Sequence, residues 1–191
     1  MPDVTLYLCR TKKPIDRPRS RELRDRAAVL CFRSAPYAFW EPEPGKKPEL
    51  LLPEGAQFNV SHTRDLFVCA FSTVPIGVDA EYLRPIKRKD EIAKRFFSAS
   101  AQERLFSAPN EERDRLFLEC WTHLEARAKF TGNGVFRQKS ERPQEDELCL
   151  TDLGAYLPEG FVGTLCTEAP PAITAIPFPE PEEPIDENLP G

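Results

Sequence analysis

The sequence predicts an α+β fold built from two similar halves. Three observations carry that expectation. A helical stretch followed by strands occurs twice along the chain, short apolar runs alternate in the manner of antiparallel strands, and one long helix is stopped by Gly132 and Gly134. The 191 residues suit one large domain or two small halves sharing a core. The expected division is 1–83 for the N-terminal half, 84–176 for the C-terminal half, and 177–191 for a disordered, acidic, Pro-rich tail.

The first strand is read in "VTLYLC", where Val4, Leu6 and Leu8 alternate. "KKPIDRPRS" is a basic loop marked by prolines. A helix is expected from Ser20, its N-cap, through "SRELRDRAAVLCFRSA", with Leu23, Ala27, Leu30 and Cys31 at helical spacing. "EPEPGKKPELLLPEG" reads as loop, and "FNVSHT" as a loop leading into "LFVCAFS". A turn at Thr73–Pro75 then suggests that "LFVCAFS" and "IGVDAE" pair as a hairpin. After the basic link "YLRPIKRKD" come two short helices, "EIAKRFFS" and "SAQERLFS", and the long helix "EERDRLFLECWTHLEARAKFTGNG". "DELCLTDL", "GFVGTLCT" and "AITAIP" read as strands.

Charge and cysteine usage narrow the function classes. The net charge is −5, and residues 177–191 carry all of it in Glu180, Glu182, Glu183, Asp186 and Glu187. A neutral body argues against nucleic acid as the main partner. The tail's composition is that of a segment unable to bury enough apolar surface to order itself. "MPDVTLYLCRTKK" has no signal-peptide core, and no apolar run approaches the ~18 residues of a membrane span. A cytoplasmic location is expected. The six cysteines show neither a CxxC pair nor zinc spacing, and read as buried free thiols.

Two acids on one strand raise the chemical question. Asp79 and Glu81, at i and i+2, point the same way while Ala80 faces the other side. Carboxylates that close repel each other unless a cation lies between them, and a hard cation suits oxygen ligands. Alone, the pair reads first as a solvated strand end. On the long helix, Phe117, Trp121, Leu124 and Ala128 form an apolar stripe, with Glu125 at its edge and Lys129 one turn further. Glu125 and Lys129 read either as a surface ion pair or as a third oxygen ligand with a phosphate-binding Lys beside it. Three carboxylates and a Lys suit Mg²⁺–phosphate chemistry. His62, just upstream in "FNVSHT", is one of only two histidines.

Taken in order, these stretches resemble the 4'-phosphopantetheinyl transferases of the long, Sfp-like type. "KPELLLPEGAQFNVSHT" is similar to the family's Lys-Pro…Phe-Asn-x-Ser-His-Ser stretch, "IGVDAE" to its Gly-x-Asp-x-Glu motif, "IAKRFFS" to its Arg-Phe-Phe-Ser segment, and "WTHLEARAKFTGNG" to its Trp-x-x-Lys-Glu-Ala-x-x-Lys motif. "SRELRDRAAVLCFRS" resembles the helix that opens with an Arg near coenzyme A. Residues 47–134 are covered densely. The resemblance implies a pseudo-dimer with the active site in the cleft between two α+β halves. It also implies transfer of the phosphopantetheine arm of coenzyme A to a Ser of an apo acyl or peptidyl carrier protein, with release of adenosine 3',5'-bisphosphate, by a monomeric, Mg²⁺-dependent enzyme.

By that resemblance Asp79, Glu81 and Glu125 hold Mg²⁺, and Glu125 is the general base. Lys129 contacts the diphosphate, Ser61 and His62 hold coenzyme A phosphates, and Arg21 and Lys47 line the nucleotide end. Leu124 stands where the family usually has Lys, Lys46 where it has Gly, and Ala80 where a branched apolar residue is usual. "RPIKRK" is a basic run that reads either as a solvated linker or as a patch steering an acidic carrier. Two other readings belong to different classes: a coenzyme A-binding or carrier-docking protein that transfers weakly or not at all, and a metal-dependent phosphohydrolase.

Overall fold

The computed structural model describes residues 3–33, 35–41, 48–132 and 148–181. Its elements are β1 (Asp3–Arg10), α1 (Arg17–Phe32), β2 (Ala38–Trp40), β3 (Glu49–Leu52), β4 (Gln57–Thr63), β5 (Leu66–Ser72), β6 (Gly77–Tyr82), α2 (Lys89–Phe96), α3 (Ala99–Ser107), α4 (Asn110–Thr131), β7 (Cys149–Asp152), β8 (Phe161–Thr167) and β9 (Ala172–Pro177). A four-stranded sheet runs β4-β5-β1-β9, a three-stranded sheet β6-β8-β7, and β2 pairs with β3. All pairings are antiparallel except β1 with β9. The expected α+β class holds.

Period-2 alternation sorts the strands' side chains into layers. Val4, Leu6 and Leu8 of β1 meet Val68 and Ala70 of β5, Val78 and Ala80 of β6, and Leu165 of β8, which seals the two larger sheets face to face. Tyr7, Cys9, Phe67, Cys69 and Phe71 point the other way and pack under Leu23, Ala27 and Ala28 of α1. Beyond the three-stranded sheet, Phe97, Leu105, Phe117, Leu118 and Val162 form the core beneath α2, α3 and α4. The order of layers is α1, four-stranded sheet, three-stranded sheet, α2–α4.

Several expectations are corrected. β5 and β6 do not form a hairpin. Ser72 of β5 opposes both Val4 and Gln57, so both edges of β5 are already taken, and β6 pairs with β8 instead. The hairpin is β4–β5, and "FNVSHT" is strand rather than loop. Part of "EPEPGKKPELLLPEG" is strand β3, while residues 42–47 lie outside the described residues. α1 starts before Ser20, because Asp16 accepts from the Arg19 N–H and Pro18 fits the first turn. Leu30 is exposed rather than core-facing.

Residues 177–181 are packed, not disordered. Phe178 is 6% exposed, makes edge contacts with Tyr7 and Phe67, and donates its N–H to Leu8. Glu180 pairs with Arg19 at 2.6 Å and accepts from the Lys12 N–H at 2.8 Å. Residues 182–191 lie outside the described residues. β6 joins β8 and β9 joins β1, so the boundary expected at residue 84 separates stretches of sequence, not sheets. All six cysteines are free. Among the described residues, no helix is long and apolar enough to cross a membrane.

Candidate active site between β6 and α4

β6 leaves the sheet interface with Val78 and Ala80 inward, so Gly77, Asp79 and Glu81 face α4. α4 is continuous over 22 residues, with Glu111 and Glu112 in its first turn, and it ends at Gly132 in the left-handed region, φ 70°. Its Thr122 hydroxyl meets that of Thr164 at 2.9 Å, and Thr164 lies opposite Asp79 in the β6–β8 ladder. That buried bond fixes the helix's rotation. One and two turns on, Glu125 and Lys129 lie on the side of α4 toward the strand.

Asp79 is 6% exposed. Its Oδ1 accepts from the Ser61 hydroxyl at 2.9 Å and from Lys129 Nζ at 2.8 Å, while its Oδ2 is buried with no protein partner. Glu81 Oε2 accepts from Arg84 at 2.7 Å and from the Thr63 hydroxyl at 3.4 Å. Glu125 is half-buried, and its carboxyl is pushed above the usual range. Burial is the largest cause and the Asp79 carboxylate the next, with Lys129 opposing and Glu81 adding. The three predicted acids therefore share one electrostatic neighbourhood.

The donor set fits a hard divalent cation. It offers oxygens only, one of them buried and unpartnered, and surplus negative charge registers on Glu125. In the side-chain arrangement described, the Lys129 ammonium supplies the compensating charge. Among the described residues, no three acidic, His or Cys side chains stand gathered around a common point.

Two expected phosphate contacts are placed differently. Ser61 is 5% exposed, and its hydroxyl is spent between the Ala80 N–H and Asp79 rather than presented to a ligand. Lys129 directs its three ammonium protons at Asp79, Val78 O (3.0 Å) and Val60 O (3.4 Å). His62 is exposed on the opposite face of β4 from Ser61, and its ring is held below the usual histidine value by desolvation first and Lys129 second. Asp16 at the head of α1 opposes that shift. Arg21 is exposed and pairs with Glu41 at 3.5 Å, apart from the acids. Lys47 lies outside the described residues.

Leu124 packs with the core beneath α2–α4 and lines a groove of about 340 Å³ with Phe97, His123 and Leu150. In the basic run, Arg84, Arg88 and Lys89 are each ion-paired, to Glu81, Glu91 and Asp114.

The sequence reading missed Asn59, Thr63 and Arg24. Asn59 and Thr63 alternate with Ser61 on one face of β4, a polar period-2 signal visible in "FNVSHT". Arg24, 6% exposed, pairs with Glu41 and Asp25 and lies 4.0 Å over the Phe39 ring. No spacing announces its burial.

A family model described as the 4'-phosphopantetheinyl transferase superfamily matches residues 75–176, just over half of the chain, from just before β6 into β9. The chain belongs to the 4'-phosphopantetheinyl transferase superfamily. Among curated members it is similar to 4'-phosphopantetheinyl transferase HetI of Nostoc sp., 41% identical over 98 residues, which covers 51% of this chain and 39% of the relative. It also resembles 4'-phosphopantetheinyl transferase psf-1 of Bacillus pumilus, 38% identical over 96 residues, covering 50% of this chain and 40% of the relative. 4'-Phosphopantetheinyl transferase Sfp of Bacillus subtilis is 39% identical over 80 residues, covering 42% and 35% respectively. The match therefore spans at most 40% of the length of these three superfamily members.

Proposed function

We propose that this superfamily member transfers the 4'-phosphopantetheine arm of coenzyme A to a serine of an apo acyl or peptidyl carrier protein and releases adenosine 3',5'-bisphosphate. The observation that carries the reading is the buried Asp79 carboxylate, paired to Lys129 and with one oxygen unpartnered, whose charge together with that of Glu81 is felt by Glu125 across the space between β6 and α4. Asp79, Glu81 and Glu125 would hold Mg²⁺, which when bound neutralises diphosphate charge and favours departure of the nucleotide.

The protein's own groups supply the rest. Glu125, with its raised proton affinity, accepts the serine proton at a carboxylate oxygen as the serine oxygen bonds to the β-phosphorus. The P–O bond to the nucleotide breaks, and its electron pair leaves with adenosine 3',5'-bisphosphate. Lys129 turns from its carbonyl partners toward the diphosphate, and His62, on the α1 side of β4, meets a phosphate of the nucleotide end. Six free thiols suit a reducing, cytoplasmic setting.

The test is mass spectrometry of an apo carrier protein incubated with the protein, Mg²⁺ and coenzyme A. The expected result is a carrier heavier by one phosphopantetheine, lost with EDTA or with Glu125→Gln. Coenzyme A split without any carrier would identify a phosphohydrolase instead. Both molecules left intact would leave a coenzyme A-binding or carrier-docking protein.

A further inference from the structure

β4 and β6 are edge strands of different sheets, yet they lie side by side. No backbone ladder joins them. Instead Asn59 Oδ1 accepts from the Val78 N–H at 3.1 Å, Ser61 Oγ from the Ala80 N–H at 3.1 Å, and Thr63 Oγ1 from the Tyr82 N–H at 3.3 Å. The acceptors recur at every second residue of both strands. Side chains of β4 thus stand in for the carbonyls of a neighbouring strand and satisfy an otherwise open edge.

Chemistry fixes the direction of each bond. A backbone N–H can only donate and an ionised carboxylate can only accept, so each hydroxyl spends its lone pair on β6 and its proton on an acid. Ser61 donates to Asp79 Oδ1 at 2.9 Å and Thr63 to Glu81 Oε2 at 3.4 Å. Asn59 carries no such second bond to an acid. Because Ser61 and Lys129 both engage Oδ1, Oδ2 is the Asp79 oxygen left without a partner.

We propose that Ser61 and Thr63 are positioning residues for the two strand carboxylates, pinning each acid to the β6 backbone so that Asp79 keeps Oδ2 unpartnered as a ligand oxygen for a divalent cation. Ser61 is the stronger of the two, being buried and at the shorter distance. Its hydroxyl touches neither substrate nor cation, and it acts through Asp79. The proposal rests on the cation use of the transferase reading.

The experiment titrates Mn²⁺ into the full chain, with and without coenzyme A, and reads free Mn²⁺ by electron paramagnetic resonance. Ser61→Ala is expected to weaken Mn²⁺ binding about 10-fold or more, the usual scale for removing a group that orients a ligand. Ser61→Thr, which keeps the hydroxyl, restores most of it. Thr63→Val, nearer the strand end, gives a smaller weakening and serves if Ser61→Ala does not fold. Asn59→Ala removes an equivalent strand bond without touching an acid. It should lower the melting temperature and leave the Mn²⁺ affinity as in the parent. In transfer assays the Ser61→Ala defect should shrink as the cation is raised to saturation.

Parent-like Mn²⁺ affinity in both Ser61→Ala and Thr63→Val overturns the positioning role. An Asn59→Ala loss as large as that of Ser61→Ala overturns it too, since the ladder would then matter only for joining strands. A parent that binds no Mn²⁺ overturns both this role and the cation-dependent transferase. A parent that binds Mn²⁺ but leaves the carrier unmodified overturns the transferase reading alone.

Discussion

Gly77 lies so close to the carbonyl of Ala126 that no side chain fits between them: a Cβ there would come 2.0 Å from the Ala126 oxygen and 2.6 Å from the Phe130 nitrogen. Both obstacles are backbone of α4, so neither can rotate away. Gly77→Ala must lift the helix from the strand, at the upper end of the ~1–3 kcal/mol typical of overpacking. Glu125 and Lys129 would move with the helix, so transfer should fall much more than stability. Denaturant unfolding beside the carrier assay checks this. A variant with parent stability and parent rate would mean that α4 is free to slide.

Lys129 is the only cation within hydrogen-bond distance of buried Asp79 among the described residues. Lys129→Met leaves that carboxylate with Ser61 alone. Removing one partner of a fully buried pair costs ~3–5 kcal/mol. Lys129 keeps 28% of its side chain exposed, so about 2–3 kcal/mol is expected here. Unfolding in EDTA measures the loss. Mg²⁺ should then protect the variant more than the parent, whose Asp79 is already compensated.

Thr122 donates its hydroxyl proton to the Glu119 carbonyl, so Thr164 is the donor in the buried bond between α4 and β8. Thr122→Val keeps the shape but strands the Thr164 hydroxyl, which should cost about 1–2 kcal/mol. The double variant, with Thr164→Val as well, should lose clearly less than the sum of the single changes. A strictly additive cycle would show that the two hydroxyls are not coupled.

Phe178 anchors the segment after β9 in the core under α1. Phe178→Ala should cost about 3 kcal/mol or more, the range for emptying a buried aromatic site. Glu180→Gln should cost less and in a pH-dependent way. Its bond to Arg19 holds the Glu180 carboxyl below the ordinary value. The ion pair therefore stabilises the fold above the unfolded glutamate value and fades as pH falls through the lower folded value. Parent and Glu180→Gln melting temperatures should converge in acid. A gap that stays constant into acid would mean that the carboxylate's charge is not what holds the segment.

Much of the architecture was legible because it is local. The i, i+2 spacing of Asp79 and Glu81 fixes their shared face whatever the strand's partner, and the spacing of Glu125 and Lys129 fixes their shared flank. β1, α2, α3, α4, β7, β8 and β9 announced themselves by periodicity and caps. Strand partnership was not local. Nothing in "IGVDAE" says that β5 has no free edge, which is decided by β1 and β4 arriving from elsewhere. The bonds Ser61 makes to β6 were hidden for a related reason. A serine beside a histidine looks like a ligand contact until β6 is found alongside, with an N–H to satisfy and an acid to hold. Phe178 sits within an acidic, Pro-rich stretch whose average composition hides one aromatic side chain that finds the core.

β9 is the last strand of the described chain, yet it completes the sheet that begins with the first. Until Pro177 has been synthesised, β1 has a bare edge, and Val4 and Leu6 lack the cover that Ile173 and Ala175 give from the next strand. β6 likewise waits for β8. A nascent chain emerging from the ribosome thus holds two unfinished sheets until β8 and β9 have followed. Long-range closure of this kind makes folding slow and leaves the intermediates prone to pair with each other. A stop codon anywhere before β9 would cost far more than the residues it removes.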